Sequence, residues 1–389
     1  MKICDLTQFY SPVSGGVRRY IEQKTAFLRR HRPDCEHVVI VPGESTGFTG
    51  DSLARTYTIA SPLVSRTSRY RALTKLHLVE EVLEKERPDI IESGDPYQVA
   101  WKAVASGRGL DIPVVGFYHS HFPESYIRTI AKFFGRMAVS ITDDVCRRYV
   151  RTLYNHFECT FVPSPVLARL LGDWGVERIH TVDLGVDADV FVPGSDRGET
   201  RRKLGIDPDV RLLLYVGRLA SEKNVRALFE AFAILHARSP GRYHLLCLGD
   251  GTQRPAVVEL QRSTGAVHWM PYCTNPAELA AIYRCADLFV HPGVQETFGL
   301  VALESQASGT CVVGIRGSYM DRIIFNDQKQ WAAENSPSAL ADAVDAKFTQ
   351  DLRSAGLLAS VEARSRYSWK TVFTRQLSIY ADVIAGYSN

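Results

Sequence analysis

Two basic residues, Arg218 and Lys223, lie five positions apart between an apolar run predicted as a strand, 212–216, and a helical pattern that follows it. Arginine offers a planar fork of donors and lysine a compact point charge, so the two can converge on one diphosphate. Cations at the start of a helix oppose its macrodipole, so their presence there indicates that an anion compensates them. The alternative is that both side chains are simply solvated where the helix begins.

Two glutamates, Glu296 and Glu304, are separated by eight positions. Glu296 follows the predicted strand 288–291, and Glu304 lies two turns along the next helical pattern. Between them, Phe298, Gly299 and Leu300 supply backbone N–H groups at a helix start, which suits a phosphate. The neighbours of Glu304 are apolar, so an unpaired carboxylate there would be costly unless it met a hydroxyl or a cation. We favour this functional interpretation over a capping Glu296 and a solvated Glu304.

A glycine pair, Gly15 and Gly16, precedes a helical pattern after the first predicted strand. Without side chains, the backbone comes close to a ligand, and the N–H groups that open a helix favour an anion. The pair fits neither the dinucleotide-binding fingerprint nor a P-loop, and a plain turn is an equal alternative.

Short apolar runs alternate with amphipathic segments along the whole chain, which predicts parallel sheets covered by helices on both faces. The predicted fold class is α/β, with two Rossmann-like doubly wound domains whose strand ends face a cleft. A turn-rich stretch at 185–194 separates the two series, and we place the domains at 1–190, 191–365 and 366–389. The predicted strands are 2–6, 38–41, 90–91, 114–118, 160–162 and 181–182, followed by 212–216, 244–248, 267–270, 288–291 and 311–314.

The composition is that of an ordinary globular chain: 389 residues, 45% hydrophobic and 23% charged. It excludes a disordered, collagen-like or membrane-embedded protein. A formal charge of only +3 argues against nucleic-acid binding as the main activity. No run of about 18 apolar residues occurs, and Asp5 lies where a signal peptide needs apolar residues, so we expect a cytoplasmic protein. The eight cysteines are spread singly, which predicts reduced core residues.

These motifs in this order resemble glycosyltransferase family 4, whose members are retaining, nucleotide-sugar-dependent enzymes of the GT-B fold. The resemblance covers nearly the whole chain and implies that the last helix, 366–389, packs back on the N-terminal domain. One departure is the turn after 311–314, where many relatives are glycine-rich and this chain is not. The resemblance rests on Ser14-Gly15-Gly16, Gly217-Arg218 with Lys223, Glu296 with Glu304, Leu184-Gly185-Val186-Asp187 and Tyr367-Ser368-Trp369.

The resemblance implies a role for each site residue. Arg218 and Lys223 would hold the donor diphosphate and stabilise the departing nucleotide. Glu304 would accept hydrogen bonds from the ribose, and Glu296 would contact hydroxyls of the transferred sugar. His119 matches the family's active-site histidine near the donor sugar, although a lone histidine at a strand end is more often structural. The candidates for acceptor binding are Asp5, His121 and Glu124.

The resemblance also implies retention. Arg218, Lys223 and the helix starts at Gly16 and Phe298 could stabilise the leaving phosphate without a metal, so we expect no metal and no other cofactor.

The triplets at 187–189 and 207–209 have the Asp-x-Asp form of metal-dependent transferases, but their turn-rich contexts favour caps or turns. A paired-carboxylate hydrolase is disfavoured because Glu296 and Glu304 share one loop–helix unit and would lie roughly 12 Å apart along a helix. A non-catalytic nucleotide-sugar-binding protein is the other alternative, disfavoured because all four charged site residues are intact.

The acceptor is the least determined part of the function. Residues 52–79 contain several cations and no acidic residue, and 126–136 mixes cations with apolar residues. Such segments lie on anionic membranes or hold acidic acceptors, so a lipid or lipid-linked sugar and a peripheral position on the inner face of the membrane are one hypothesis. Ordinary solvated helix faces, slightly favoured, and a soluble small-molecule acceptor are the alternatives.

Overall fold

The computed structural model describes residues 1–11, 16–64, 69–119, 142–294, 296, 298–318, 320, 322–325 and 328–387. The chain divides into two compact units. The first comprises Met1–Leu184 together with Val372–Asn389, and the second comprises Gly185–Thr371. The sequence-based boundaries after 190 and 365 stay predictions.

Unit 1 is built on an eight-stranded sheet in the order β3-β4-β2-β1-β5-β6-β7-β8. Its pairs are parallel except β3 with β4. The strands are β1 (Lys2–Leu6), β2 (Glu36–Gly43), β3 (Gly47–Gly50), β4 (Ala54–Ala60), β5 (Ile90–Ser93), β6 (Val114–Phe117), β7 (Thr160–Val162) and β8 (Ile179–Thr181). The helices are α1 (Gly16–His31), α2 (Leu76–Glu86), α3 (Gln98–Leu110), α4 (142–154) and α5 (Pro165–Asp173).

Unit 2 contains a five-stranded parallel sheet in the order β11-β10-β9-β12-β13. Its strands are β9 (Arg211–Val216), β10 (Tyr243–Leu248), β11 (Val267–Met270), β12 (Leu288–Val290) and β13 (Cys311–Val313). Its helices are α6 (Arg197–Lys203), α7 (Val225–Arg238), α8 (Arg254–Thr264), α9 (Pro276–Cys285), α10 (Leu300–Ala307), α11 (Pro337–Lys347) and α12 (Leu352–Tyr367). The last helix, α13 (Trp369–Tyr387), begins in unit 2 and ends in unit 1.

The local sequence explains these elements. Every residue of β9 after Arg211 is buried, because helices cover both faces of a parallel sheet and its strands are therefore apolar throughout. Helix starts carry capping side chains followed by proline: Ser164 accepts from the N–H of Leu167, and Asn275 accepts from the N–H of Ala277. The predicted α/β class with two parallel-sheet domains is confirmed.

The segment that leaves unit 1 pairs with the segment that returns to it. The N–H of Val186 donates to the Tyr367 carbonyl at 2.7 Å, and the N–H of Trp369 donates to the Val186 carbonyl at 3.1 Å. A Cβ on Gly185 would lie 2.6 Å from the Trp369 ring, so only glycine fits there. Two motifs slightly more than 180 positions apart thus meet in one small bridge within unit 2.

Several smaller predictions can be compared with the structure. Asp187 and Asp207 accept from the N–H groups of Asp189 and Asp209, which confirms the interpretation of both triplets as turns. All eight cysteines are free, and six of them are buried. In the described part of the chain, no helix is both long and apolar enough to cross a membrane.

Candidate functional site

Lys223 and Glu296 form an ion pair between two loops of unit 2. Lys223 ends a short turn after β9, and Glu296 lies between β12 and α10. The Lys223 Nζ donates to Oε1 of Glu296 at 2.5 Å, and the two side chains are only 26% and 16% exposed. Burial raises the pKa of Glu296, but the charge and hydrogen bond of Lys223, together with His291 and Arg218, outweigh burial and hold that pKa below its usual value. Because β9 and β12 are parallel neighbours, this ionised pair lies at the carboxyl edge of the sheet, where such sheets bind ligands.

Arg218 lies in the same loop as Lys223 but pairs with a different carboxylate. Its Nη1 contacts Oε1 of Glu222 at 2.9 Å, and the side chain is 70% exposed. Its backbone is fixed, since the carbonyl accepts from the Tyr215 hydroxyl at 2.9 Å. An exposed pair of this kind contributes at most about 1 kcal/mol, so the guanidinium is available to an anion.

The start of α10 follows Glu296 directly. Phe298 is buried, and Gly299 adopts a left-handed backbone with φ of +87° just before Leu300 opens the helix. The first N–H groups of an α-helix have no partner within it, so the turn at Leu300 presents donors and the positive end of the helix dipole. The predicted anion-binding N–H groups therefore follow shortly after Glu296, the carboxylate partner of Lys223.

Glu304 is buried in α10, with only 2% of its surface exposed. Its Oε2 accepts a hydrogen bond from the Tyr283 hydroxyl of α9 at 3.0 Å. The carboxylate therefore meets a protein hydroxyl rather than solvent, and its role toward the donor stays a prediction.

His119 lies at the end of β6 in unit 1. Its ring stacks on Phe117 at 3.9 Å between centroids and meets the Tyr20 ring edge-on at 5.0 Å. Burial, aided by the Lys24 charge, lowers the pKa of His119 to about 3. The imidazole is therefore neutral near pH 7, so it can exchange hydrogen bonds with sugar hydroxyls without carrying charge.

Asp5 lies in a buried polar network. Its Oδ1 accepts from Lys24 Nζ at 2.8 Å, and its Oδ2 lies 2.9 Å from His37 Nε2. Lys24 also donates to Glu92 and to the Tyr380 hydroxyl of α13. With 2% of its surface exposed, Asp5 is a core residue, and this placement does not support the predicted acceptor role.

The remaining predicted residues are placed as follows. Gly15, His121 and Glu124, and the segment 126–136, lie outside the described residues. Gly16 opens α1, is exposed and has no atom near the position of a Cβ.

Two of the cations in the segment 52–79 are paired within unit 1. Arg55 of β4 bridges Glu36 and Glu86, and Arg71 pairs with Glu44 at 2.7 Å. These two pairs reduce the charge that the segment offers to an anionic surface, and its contact with a membrane stays a prediction.

Sequence reasoning missed three residues around the pair. Asn224 follows Lys223 and bonds to Pro292, and Tyr283 donates to Glu304. His291 is 4% exposed, and its Nδ1 has no hydrogen-bond partner in the described part of the chain. Only Asn224 carried a sequence signal, since asparagine at a helix start tolerates a left-handed backbone.

Two family models match consecutive parts of this chain. "Glycosyltransferase Family 4" matches residues 14–190, and "Glycosyl transferases group 1" matches residues 196–355. A GDP-mannose-dependent alpha-mannosyltransferase of Corynebacterium glutamicum is 29% identical over 99% of this chain and 90% of its own length. An alpha-monoglucosyldiacylglycerol synthase of Streptococcus pneumoniae is 28% identical over 67% of this chain and 58% of its own.

Solved structures of similar fold cover the whole chain. The sucrose-phosphate synthase of Thermosynechococcus elongatus superposes with a TM-score of 0.75 at 18% identity, over 99% of this chain and 100% of that one. HepE of Anabaena in complex with UDP superposes with a TM-score of 0.73 at 16% identity, over 98% of this chain and 100% of that one. At these identities the likeness shows the fold alone.

Proposed function

Because the chain belongs to glycosyltransferase family 4 and is a nucleotide-sugar glycosyltransferase of the GT-B fold, we propose that it transfers a hexose from a UDP- or GDP-linked donor to an acceptor hydroxyl. We also propose that the transfer retains the anomeric configuration and needs no metal or other cofactor. The observation that carries this proposal is the Lys223–Glu296 pair beside the start of α10. It places a cation, a carboxylate and helix N–H groups at one sheet edge, which suits a sugar diphosphate.

In the proposed reaction, charge develops on the departing diphosphate while the sugar becomes positive. Arg218, Lys223 and the N–H groups at Leu300 would stabilise that negative charge, and such preorganised stabilisation is usually the largest catalytic contribution. The acceptor oxygen would attack the anomeric carbon on the face that the diphosphate leaves. The acceptor's proton would pass to a leaving phosphate oxygen, so retention would need no protein nucleophile. Glu296 would hold sugar hydroxyls and Glu304 the ribose.

His119 keeps its role at the donor sugar as a prediction. Its neutral ring at pH 7 supports that role, since a hydrogen-bonding group without charge would not compete with Arg218 and Lys223 for the diphosphate.

We propose GDP-mannose as the first donor to test. The relative named for that donor aligns with 99% of this chain, whereas the UDP-bound neighbour supports only the fold.

Isothermal titration with GDP and with UDP, without added metal, tests the donor site. We expect micromolar binding of one nucleotide, weakened about ten-fold or more, about 1.4 kcal/mol, by Arg218→Ala or Lys223→Ala. Arg238→Ala is the control, because Arg238 is a partly exposed arginine of unit 2 that pairs with Asp342. Binding without transfer from any nucleotide sugar would favour the non-catalytic alternative. Failure to bind either nucleotide would contradict the proposal.

For the acceptor, we propose a lipid or lipid-linked sugar. The name of the diacylglycerol-modifying relative supports this hypothesis. Purified protein with labelled GDP-mannose or UDP-glucose is offered vesicles of diacylglycerol and anionic phospholipid, or water-soluble sugar phosphates. Product in the vesicle fraction, with co-sedimentation of the protein, would support the lipid acceptor and peripheral membrane contact. Transfer only to soluble acceptors would contradict both.

A further inference from the structure

Asn224 joins three loops of unit 2. It follows Lys223 and precedes α7, with a left-handed backbone at φ of +55°. Its Nδ2 donates to the Pro292 carbonyl at 2.9 Å and to Oδ1 of Asn335 at 2.8 Å. A side-chain amide nitrogen carries two hydrogens, and both are used here.

The adjacent residues Lys223 and Asn224 hold the loop after β12 at two points. Lys223 reaches Glu296, and Asn224 reaches Pro292, four positions earlier. The two contacts differ in kind. A lysine side chain is flexible and its pair is partly exposed, whereas the Asn224 amide binds a backbone carbonyl whose position the fold fixes.

Donor binding would affect the Lys223–Glu296 and Asn224–Pro292 contacts differently. If Lys223 turns to the diphosphate and Glu296 to the sugar, as in the proposed function, their mutual ion pair is weakened. The bond from Asn224 to Pro292 involves no donor-binding group, so it persists in the complex. Asn224 would thus still link the diphosphate-binding loop to the sugar-binding loop during the reaction.

We propose that Asn224 is a positioning residue for hexosyl transfer, which fixes the loop of Lys223 against the loop of Glu296 so that diphosphate and sugar are held at the separation the reaction needs. The inference rests on the proposed function. It also explains the residue type: glycine would satisfy the left-handed backbone at lower conformational cost, but only asparagine adds the two bonds.

The test compares Asn224→Gly with Asn335→Ala and Asn335→Asp. Asn224→Gly keeps the left-handed backbone accessible and removes only the amide, Asn335→Ala removes one of its two partners, and Asn335→Asp keeps an acceptor. For Asn224→Gly we expect kcat for hexosyl transfer to fall by about ten-fold or more, because misplaced groups act mainly on the transition state. The affinity for the free nucleotide diphosphate should change less than about three-fold. The kcat of Asn335→Ala should lie between the values for Asn224→Gly and the wild type. The kcat of Asn335→Asp should be close to that of the wild type.

Asn155→Ala is the matched control. Asn155 lies in unit 1, and its Nδ2 likewise donates to a backbone carbonyl, that of Gly175, at 2.9 Å. Asn155→Ala should lower the midpoint temperature of thermal unfolding without a selective loss of kcat. Values of kcat and donor KM for Asn224→Gly within two-fold of wild type would overturn the inference. So would a loss of kcat that merely follows the folded fraction, as in the control. A wild-type protein that binds no nucleotide and transfers no hexose would instead overturn the proposed function itself.

Discussion

Two features of Gly299 disfavour a side chain at this position. Its φ is +87°, and a Cβ would lie 2.2 Å from Cε and 2.6 Å from Sδ of Met320, so the flexible end of that methionine would have to move. We expect Gly299→Ala to lower the free energy of unfolding by about 1–3 kcal/mol, mainly through left-handed strain with a smaller cost of repacking Met320, and to weaken nucleotide binding. Urea unfolding and titration measure both effects. Gly205→Ala is the control, because Gly205 has φ of +66° but no atom within 4 Å of a Cβ. Equal losses in the two variants would show that the Met320 contact is unimportant.

Asp95 gives a pH dependence with a definite sign. It is 1% exposed and accepts from the N–H groups of Gln8 and Tyr97, and burial raises its pKa from 3.8 to about 6. Between these values the folded protein holds a proton that the unfolded chain releases, so stability falls as the pH rises. From pH 4 to pH 7 the wild type should lose about 2 kcal/mol relative to Asp95→Asn. Urea unfolding of both proteins across this range measures the difference. A constant difference would contradict the raised pKa.

At the site, the sequence predicted residue types better than contacts. Glu304 carried its signal in an apolar neighbourhood, and the structure buries it against Tyr283. The sequence predicted that Arg218 and Lys223 can converge on one diphosphate, and in the structure each pairs with its own glutamate. Spacing along a loop does not reveal which nearby carboxylate an unliganded cation contacts, because that depends on loop conformations set by other elements.

Among the elements, α1, β1, β5 and α13 are joined by one buried ammonium. Lys24 of α1 is 1% exposed and lies 2.8 Å from Asp5 and 3.1 Å from Glu92. Lys24→Met would leave two carboxylates without their cation, so we expect a loss of about 3–5 kcal/mol in unfolding free energy. In the double variant, Glu92→Gln should restore part of the lost unfolding free energy, because it removes one of the two unpaired negative charges.

Lys102→Met is the control for this prediction. Lys102 pairs with Glu80 at 2.6 Å, but the side chains are 17% and 45% exposed. Lys102→Met should therefore lower the free energy of unfolding by less than about 1 kcal/mol. Comparable losses for the two lysines, by urea unfolding, would contradict the network's importance. The sequence hinted at this network, because Lys24 lies on the apolar stripe of α1 with Tyr20, Phe27 and Leu28.

Three of the predicted strands have the observed bounds. The ranges 2–6, 160–162 and 267–270 coincide with β1, β7 and β11. The sequence missed β3 and β4 because neither is an apolar run: β3 is exposed throughout, and β4 alternates buried residues with polar ones such as Arg55. Edge strands of a sheet are formed by pairing with a neighbour, which composition alone does not reveal.

At the scale of the whole molecule, the chain leaves unit 1 after Leu184 and returns to it at Val372. The sequence predicted two parallel-sheet domains, and the resemblance implied the return of the last helix. What it did not reveal is how that helix is held: Gln376 and Tyr380 donate to Glu92, and Phe373 packs near Phe27 with ring centroids 5.5 Å apart. Partners 284 to 346 positions apart leave no periodic signal in a single sequence.

Unit 1 should therefore depend on the last 18 residues of the chain more than unit 2 does. Truncation after Thr371 removes Phe373, Gln376 and Tyr380 from the core of unit 1 and leaves the buried carboxylate of Glu92 with fewer donors. In hydrogen–deuterium exchange, we expect β1, β5 and α1 to lose protection while β9, β10 and β12 keep theirs, because each unit has its own core. Full-length Arg375→Ala, which alters an exposed position of α13, should exchange like the wild type. Equal loss of protection in both sheets would show that the two units unfold as one cooperative body, and unchanged protection in β1 and β5 would show that α13 is dispensable to unit 1.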